Sequence, residues 1–420
     1  MKHLVMLAGM YYPHSSATGK CANQYVSLLG ENYKIDVVFI QSGFTKYNGH
    51  IDQGQTLYSL SNWRLRIEDW LIKHEKNSKN RVLKRMCIKG IIVLKAIGRV
   101  QSLLLFPNNL RWFYKSSFRT LCSIHKREPI DLIFTVNSPF AAHLAGRDFK
   151  KKYPNVKWIT YTADPFHVRY RNRSNFVSNL KYQKAINAEI QVLDEADVNF
   201  LSEEVYANCE ELYELIKDKT FSLPYLLPNN YRKRSDLLFD STKVNLVYAG
   251  RFYKDIRNPE YLLKSFLKTK NENLVMHLYA SSDCETLINH YVKQSGGRIV
   301  RHDLVKPDEI EVVLNSADIL LNVGNSIPEF KPSKTFEYIS TCKPIINFYH
   351  NGCYDEVLDK YPLILQINTE DDEKLSAESI EEFSQKSKNS YIDKKLIDEL
   401  YLKHSDDYIK GLLLTAIEKH

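Results

Sequence analysis

Short apolar runs alternate with stretches of helical periodicity along most of the chain, the pattern of βαβ units and parallel sheets. In the first half the predicted strands are HLVMLAGM (3–10), KIDVVFIQ (34–41), DLIFTV (131–136), VKWITYTA (156–163) and DVNFLS (197–202). A helix is predicted between the last two, with Leu180, Ala185, Ala188, Ile190 and Leu193 on its apolar face. In the second half the strands are KVNLVYAG (243–250), NLVMHLYA (273–280), RIVRHD (298–303), ADILLNVG (317–324), PIINFYH (344–350) and LILQIN (363–368). Between the halves runs FSLPYLLPNNYRKRSD (221–236), whose prolines, paired asparagines and charges read as a linker. The pattern divides the chain into 1–228, 229–395 and a terminal helical region 396–420 expected to pack back toward the N-terminal domain, with the boundary near Asn229.

One segment breaks the rhythm. Residues 81–100, plotted as a helix, put Arg81, Lys84, Arg85, Lys89, Lys95 and Arg99 in one arc. Val82, Leu83, Met86, Cys87, Val93, Leu94, Ile97 and Val100 fall opposite, while Ile88, Ile91 and Ile92 interrupt the basic side and Gly90 weakens the middle. Residues 63–127 hold 16 Lys or Arg against 3 Asp or Glu, whereas the whole chain carries +8, so the remainder is net acidic. A basic amphipathic helix suits an anionic membrane surface, and it equally suits a helix packed on its own domain with a solvated basic face.

At 420 residues the chain exceeds one ordinary core, and its 44% hydrophobic and 26% charged content is that of a soluble globular protein. Seven cysteines without a CxxC pair argue for free thiols in a reducing compartment rather than for disulfides or a zinc site. The N-terminal apolar run is too short for a signal peptide. No window of about 18 residues is free of charge, so a spanning helix is not expected.

Three motifs carry chemistry. The first is the loop MYYPHSSATGK (10–20) after the opening strand, where Ser15, Ser16, Ala17 and Gly19 let backbone approach a ligand at the start of a helix predicted from about Cys21. The second is YAGRFYKDIRNP (248–259), in which Arg251, Lys254 and Arg257 follow a strand end, as neutralising a diphosphate requires. The third is EFKPSKTFE (329–337). Pro332 suits a helix start, with the helix running to about Thr341. Ser333 with Lys331 or Lys334 then makes an anion site, and Glu329 and Glu337 are left to accept hydrogen bonds from hydroxyls of a sugar or ribose.

These motifs resemble retaining glycosyltransferases of GT-B architecture, the group-one or family-four class. EFKPSKTFEYISTCKPII is similar to the family pattern over its whole length. YYPHSSATGK, TVNSPFAAHLAG (135–146) and LLPNNY are similar more weakly, so the resemblance covers most of the chain outside about 50–125. It implies an α/β fold of two Rossmann-like parallel-sheet domains facing a central cleft. The N-terminal one would bind acceptor and carry a basic helical insertion at about 63–127; the C-terminal one would bind a nucleotide sugar. The resemblance further implies that Glu329 holds donor-sugar hydroxyls, Glu337 the ribose and Arg251 the diphosphate. The family's second cation falls five residues after the arginine, where this chain has Ile256, so Lys254 or Arg257 must serve. Gly19, Ser333 and Lys334 complete the donor set.

On the acceptor side, Asp164-Pro165-Phe166-His167 resembles an Asp-Pro-aromatic element of some members. Asp164 and His167 are then candidates to orient the acceptor hydroxyl, with a helix-start Asp and a surface His as the plain alternative. No DxD metal motif is present, Glu370-Asp371-Asp372 reading as a solvated loop, so no metal and no cofactor beyond the nucleotide sugar is expected. The expected partners are a nucleotide sugar, a glycan or lipid-linked glycan acceptor in cell-surface polysaccharide synthesis and an anionic membrane surface, but not nucleic acid. The expected location is cytoplasmic, peripheral on the inner face of the cell membrane. An epimerase on the same fold and a non-catalytic subunit of a polysaccharide assembly complex stand as alternatives.

Overall fold

The computed structural model describes residues 1–11, 17–41, 48–52, 54–171, 176–228, 238–305, 307–330 and 334–419. They form two compact units, 1–224 with 406–420, and 225–405. The expected boundary near Asn229 lies outside the described residues.

The first unit is a sheet in the order β3-β4-β2-β1-β5-β6-β7-β8. Its strands are β1 (Lys2–Leu7), β2 (Tyr33–Ile40), β3 (His50–Asp52), β4 (Gln55–Leu60), β5 (Leu132–Val136), β6 (Lys157–Thr162), β7 (Val198–Ser202) and β8 (Thr220–Leu223). Only β3, hairpinned to β4, is antiparallel. The helices between them are α1 (Ala17–Leu29), α2 (Trp63–Asn77), α3 (Arg81–Leu104), α4 (Arg111–Arg127), α5 (Ala141–Lys152), α6 (Phe176–Glu195) and α7 (Glu203–Asn208).

The central strands read as unbroken apolar runs because helices cover both faces of a parallel sheet. Val5, Leu7, Ile133 and Trp158 of the sheet pack with Phe113, Leu121 and Ile124 of α4 and Phe149 of α5. Thus α4 belongs to the core of the unit, and its basic residues lie on a helix that covers the sheet. The buried side of α6 is Ala185, Ile186, Glu189, Val192 and Leu193, a correction to the predicted face, since Leu180 is exposed. Strands β3, β4 and β8 were not predicted.

The second unit is a wholly parallel sheet in the order β11-β10-β9-β12-β13-β14. Its strands are β9 (Val244–Phe252), β10 (Leu274–Ser282), β11 (Ile299–Arg301), β12 (Ile319–Val323), β13 (Ile345–Tyr349) and β14 (Ile364–Asn368). Its helices are α8 (Glu260–Leu267), α9 (Glu285–Gln294), α10 (Pro307–Ser316), α11 (Lys334–Ile339), α12 (Glu356–Asp359), α13 (Glu373–Ser387) and α14 (Lys394–Leu400). The last helix, α15 (Asp406–Lys419), returns to the first unit and packs near α1 and β8.

In each sheet the strand order reverses beside the unit's first strand, between β1 and β5 and between β9 and β12. Such switch points open a crevice at the carboxyl ends of the strands, the general position for ligands in open α/β sheets.

Candidate functional site

At the switch point of the second unit, β9 ends in Gly250-Arg251-Phe252 and the chain folds back at once. Tyr253 and Arg257 bond each other's backbones at 3.1 and 2.9 Å, a tight return that carries Arg257 beside Arg251. The Arg257 guanidinium donates to Asn325 Oδ1 at 2.9 Å and to the Arg251 carbonyl at 3.3 Å. The Arg251 guanidinium lies over the Tyr253 ring, 4.9 Å from its centroid. Among the described residues neither guanidinium meets a carboxylate, so two positive charges stand at one strand end without local compensation. The Lys254 backbone N–H donates to Asp283 just past the end of β10, and its ammonium is near enough to Cys284 to pull that thiol down against the burial that pushes it up. Ile256 holds the Ser326 amide through its carbonyl at 2.8 Å, a purely backbone task.

The segment after β12 meets this return from the other side. Asn325 Nδ2 donates to the Phe330 carbonyl at 2.5 Å and curls residues 325–330 back on themselves. Glu329 is only 2% exposed and close enough to Cys353 to help burial push that thiol up. The Tyr338 hydroxyl pins α11 to β9, accepting from the Ala249 amide at 3.1 Å and donating to its carbonyl at 3.2 Å. Glu337 is ion-paired to Lys334, both about a quarter exposed. Ser333, Pro332 and Lys331 lie outside the described residues. As described, the helix runs Lys334–Ile339, with Cys342 at φ 59 just beyond its end. It stops short of the expected Thr341, and the expected start at Pro332 lies outside the described residues.

At the switch point of the first unit lies a pocket of about 320 Å³. Gly9 and Met10 after β1, Asn137 to Ala141 after β5, and Asp164, Phe166 and Arg169 after β6 line it with Pro107 and Asn109. Phe140 and Phe166 stack at 4.9 Å, and Phe106 continues the stack at 5.6 Å. Burial pushes the Asp164 carboxyl up, against the downward pull of Arg169. Asn109 Oδ1 has no donor among the described residues.

Glu189 of α6 organises this loop and was missed by sequence reasoning. It accepts the Phe166 amide at 2.7 Å, the His167 amide at 2.8 Å, Asn137 Nδ2 at 3.2 Å and His167 Nδ1 at 2.7 Å. A carboxylate on the inner face of a helix, between Ala185 and Val192, was the available signal. His167 is fully buried and does not line the pocket, so this arrangement offers no contact between its ring and an acceptor. Gly19 is buried in the first turn of α1, which begins at Ala17 rather than near Cys21, and residues 12–16 lie outside the described set. Asp372 caps α13 by accepting the Lys374 and Leu375 amides.

All six basic residues expected on a membrane face, Arg81, Lys84, Arg85, Lys89, Lys95 and Arg99, are exposed on α3, Lys84 in a 3.2 Å ion pair with Glu75. The opposite arc is exposed too. Among the residues of α3 whose burial is described, only Cys87 and Leu94 are buried, in a seam with α2 where Gly90 and Gly98 admit Leu71 and Arg64. Met86 remains 64% and Val93 57% exposed, with Val82, Ile97, Val100 and Leu104 on the same stripe. Trp63, Ile67 and Trp70 of α2 are exposed as well. Among the described residues no helix is long and apolar enough to cross a membrane.

No family model matches the sequence, and no curated protein matches it. Solved structures do. Sucrose-phosphate synthase from Thermosynechococcus elongatus aligns over 100% of this chain and 99% of its own, at 12% identity and a TM-score of 0.70. An E. coli structure described as trehalose-6-phosphate bound with UDP-2-fluoro glucose aligns over 100% and 99%, at 11% identity and 0.65. WaaG, a glycosyltransferase involved in lipopolysaccharide biosynthesis, aligns over 98% of both chains at 11% identity and 0.56. At such identities the likeness shows the fold. This chain has the GT-B architecture of two Rossmann-like parallel-sheet units.

Proposed function

We propose that the protein is a retaining glycosyltransferase that moves a sugar from a nucleoside diphosphate sugar to a lipid-linked glycan, at an anionic membrane surface and without a metal. The observation that carries this reading is the pairing of Arg251 and Arg257, uncompensated, at the switch point that also holds the buried Glu329. Cleaving the bond between the anomeric carbon and the diphosphate leaves its electron pair on a phosphate oxygen, and two guanidinium groups stabilise that charge. The acceptor oxygen attacks from the same face and its proton passes to the departing phosphate, so no separate protein base is required. Glu329 holds donor hydroxyls, Glu337 exchanges Lys334 for the ribose hydroxyls, and Ser333 and Gly19 belong to the donor set. The pocket of the first unit takes the acceptor: its phenylalanine stack suits a sugar face, and Asn109 Oδ1 and Asp164 suit hydroxyls. Support also comes from the fold shared with a structure bound to UDP-2-fluoro glucose and with WaaG.

The second cation is assigned to Arg257 on the strength of its guanidinium's donation to the Arg251 carbonyl at 3.3 Å. Calorimetry with UDP, GDP, ADP and dTDP is expected to find one preferred base. For that nucleotide, Arg257→Ala weakens binding by roughly 10–100-fold, the value of a charge-assisted hydrogen bond, while Lys254→Ala changes it little. A larger loss for Lys254→Ala than for Arg257→Ala overturns the assignment.

The hairpin of α2 and α3 supports the membrane part of the proposal, since a basic arc beside an exposed apolar stripe and two exposed tryptophans matches the interface of an anionic bilayer. The protein is expected to float with vesicles containing phosphatidylglycerol and to stay behind with neutral ones. Replacing Arg81, Lys84, Arg85 and Lys89 by Gln removes about 1 kcal/mol of attraction per cation and lowers partitioning by roughly a hundredfold or more. Unchanged flotation of that variant excludes the proposed docking face.

A further inference from the structure

A second cluster of reactive side chains lies in the first unit, away from the pocket lining. His167 Nε2, Cys209 Sγ and a Glu211 carboxylate oxygen all lie within 4.8 Å of one another, with His167 Nε2 and Glu211 Oε1 3.6 Å apart. His167 and Cys209 are fully buried, whereas Glu211 sits on a short 3-10 turn, Glu210–Leu212, and is partly exposed.

The tautomer of His167 follows from its other nitrogen. Glu189 Oε2 already accepts the His167 amide and lies 2.7 Å from Nδ1, so Nδ1 carries the proton and donates. In the neutral ring Nε2 is then a bare lone pair, completely buried, and it has no hydrogen-bond partner. An unsatisfied buried acceptor costs about 1–3 kcal/mol. It faces a thiol sulfur and a carboxylate that also takes Arg171, two further atoms that offer electron pairs, and a cation at their common centre would be held by all three. If that cation is a proton on Nε2, its carboxylate partner at 3.6 Å is beyond a good hydrogen bond.

We propose that His167, Cys209 and Glu211 form a zinc-class metal site, with a solvent molecule as fourth ligand on the open side of Glu211. One thiolate, one imidazole and one carboxylate are the donor types zinc takes, and distances of about 2.0–2.3 Å to each require only a modest contraction, which the turn carrying Glu211 can supply. Glu189 is the outer carboxylate that fixes the ring, the usual companion of a metal-binding histidine. The Arg171 guanidinium, 3.3 Å from Glu211 Oε1, holds that carboxylate from the other side. The site clasps the turn His167–Tyr170, which carries the pocket residue Arg169, to the segment after α7. Its role is structural: it steadies the acceptor-side loop. The sequence concealed it because its ligands come from segments 42 residues apart, without the CxxC spacing that marks most zinc sites.

The test uses the full chain, stripped with a chelator and titrated with Co²⁺ and with Zn²⁺. One equivalent of zinc is expected to survive buffer exchange by elemental analysis. Cobalt is expected to give ligand-field bands of a tetrahedral site and a thiolate-to-cobalt charge-transfer band. Cys209→Ser abolishes the charge-transfer band. Glu211→Gln, on a partly exposed turn and so independent of core packing, weakens cobalt binding by at least the roughly 10–100-fold that loss of an outer partner costs. Absence of stoichiometric metal, or equal cobalt affinity and spectra in the Glu211→Gln variant, overturns the site. So does an imidazolium signature for His167 by nitrogen NMR in zinc-treated protein.

Discussion

Replacing Glu329 by alanine is expected to lower glycosyl transfer by roughly 10³-fold while leaving nucleoside diphosphate affinity within a few-fold of the parent protein. The physical basis is the burial of this carboxylate. At 2% exposure the carboxylate sits in a low-dielectric environment, where each hydrogen bond it accepts is stronger than in water. In the proposed complex it accepts from donor-sugar hydroxyls, and two charge-assisted hydrogen bonds are together worth about 3–6 kcal/mol. Where these bonds orient the anomeric carbon, their loss falls on the chemical step rather than on nucleotide binding.

The measurement is single-turnover transfer beside calorimetry with the free nucleoside diphosphate. Transfer within tenfold of the parent protein, with nucleotide binding intact, would sink the role given to Glu329 and favour a non-catalytic protein. Loss of both together would mean that the substitution disrupts the curl of residues 325–330. Glu329→Gln separates the cases further, because it keeps the shape and one acceptor while removing the charge.

What the sequence could convey of this site depended on whether a residue acts through its immediate neighbours or through the fold. The strand ends and the spacing from Glu329 to Glu337 are local, so the sequence could offer them as candidates, and the structure places them at the second unit's switch point. The choice between Lys254 and Arg257 is not local. It rests on the backbone return between Tyr253 and Arg257 and on Asn325, which comes from a different strand. Glu189 was hidden for a similar reason, since its four contacts belong to segments far from α6 in the chain. The face of α6 was misjudged because Leu180 fits helical periodicity yet lies exposed.

The same contrast holds for secondary structure. Long apolar strands were legible because burial on both faces writes an unbroken hydrophobic run. Strands β3, β4 and β8 are short or lie toward the sheet's edges, and QTLYSL alternates half-buried with buried positions, which leaves a much weaker signal. For α3 the sequence placed basic and apolar residues on opposite arcs correctly. Only the structure could reveal that the apolar arc has so little to pack against, because that depends on how narrow the seam with α2 is.

Gly9→Ala is expected to destabilise the first unit by roughly 3–5 kcal/mol, about 10 °C in unfolding midpoint for a domain of this size. A Cβ at this position would stand 2.0 Å from the Ser138 carbonyl oxygen, 3.0 Å from its carbon and 3.1 Å from Pro139 Cδ. The nearest obstacles are main chain, so no side chain can rotate aside. Neither strand end can yield easily. The Gly9 carbonyl accepts the Ile40 amide at 2.9 Å, and on the other side the Asn137 amide donates to the Tyr161 carbonyl at 2.9 Å. Pushing β1 and β5 apart at this level would break bonds at the middle of the sheet. The same displacement reshapes the pocket, because Gly9, Ser138 and Pro139 all line it. Chemical denaturation and acceptor binding are therefore expected to fail together, whereas nucleotide binding by the second unit persists in the folded fraction. An alanine variant with an unfolding midpoint within about 2 °C of the parent protein would show that the two strand ends are not locked together as the backbone bonds require.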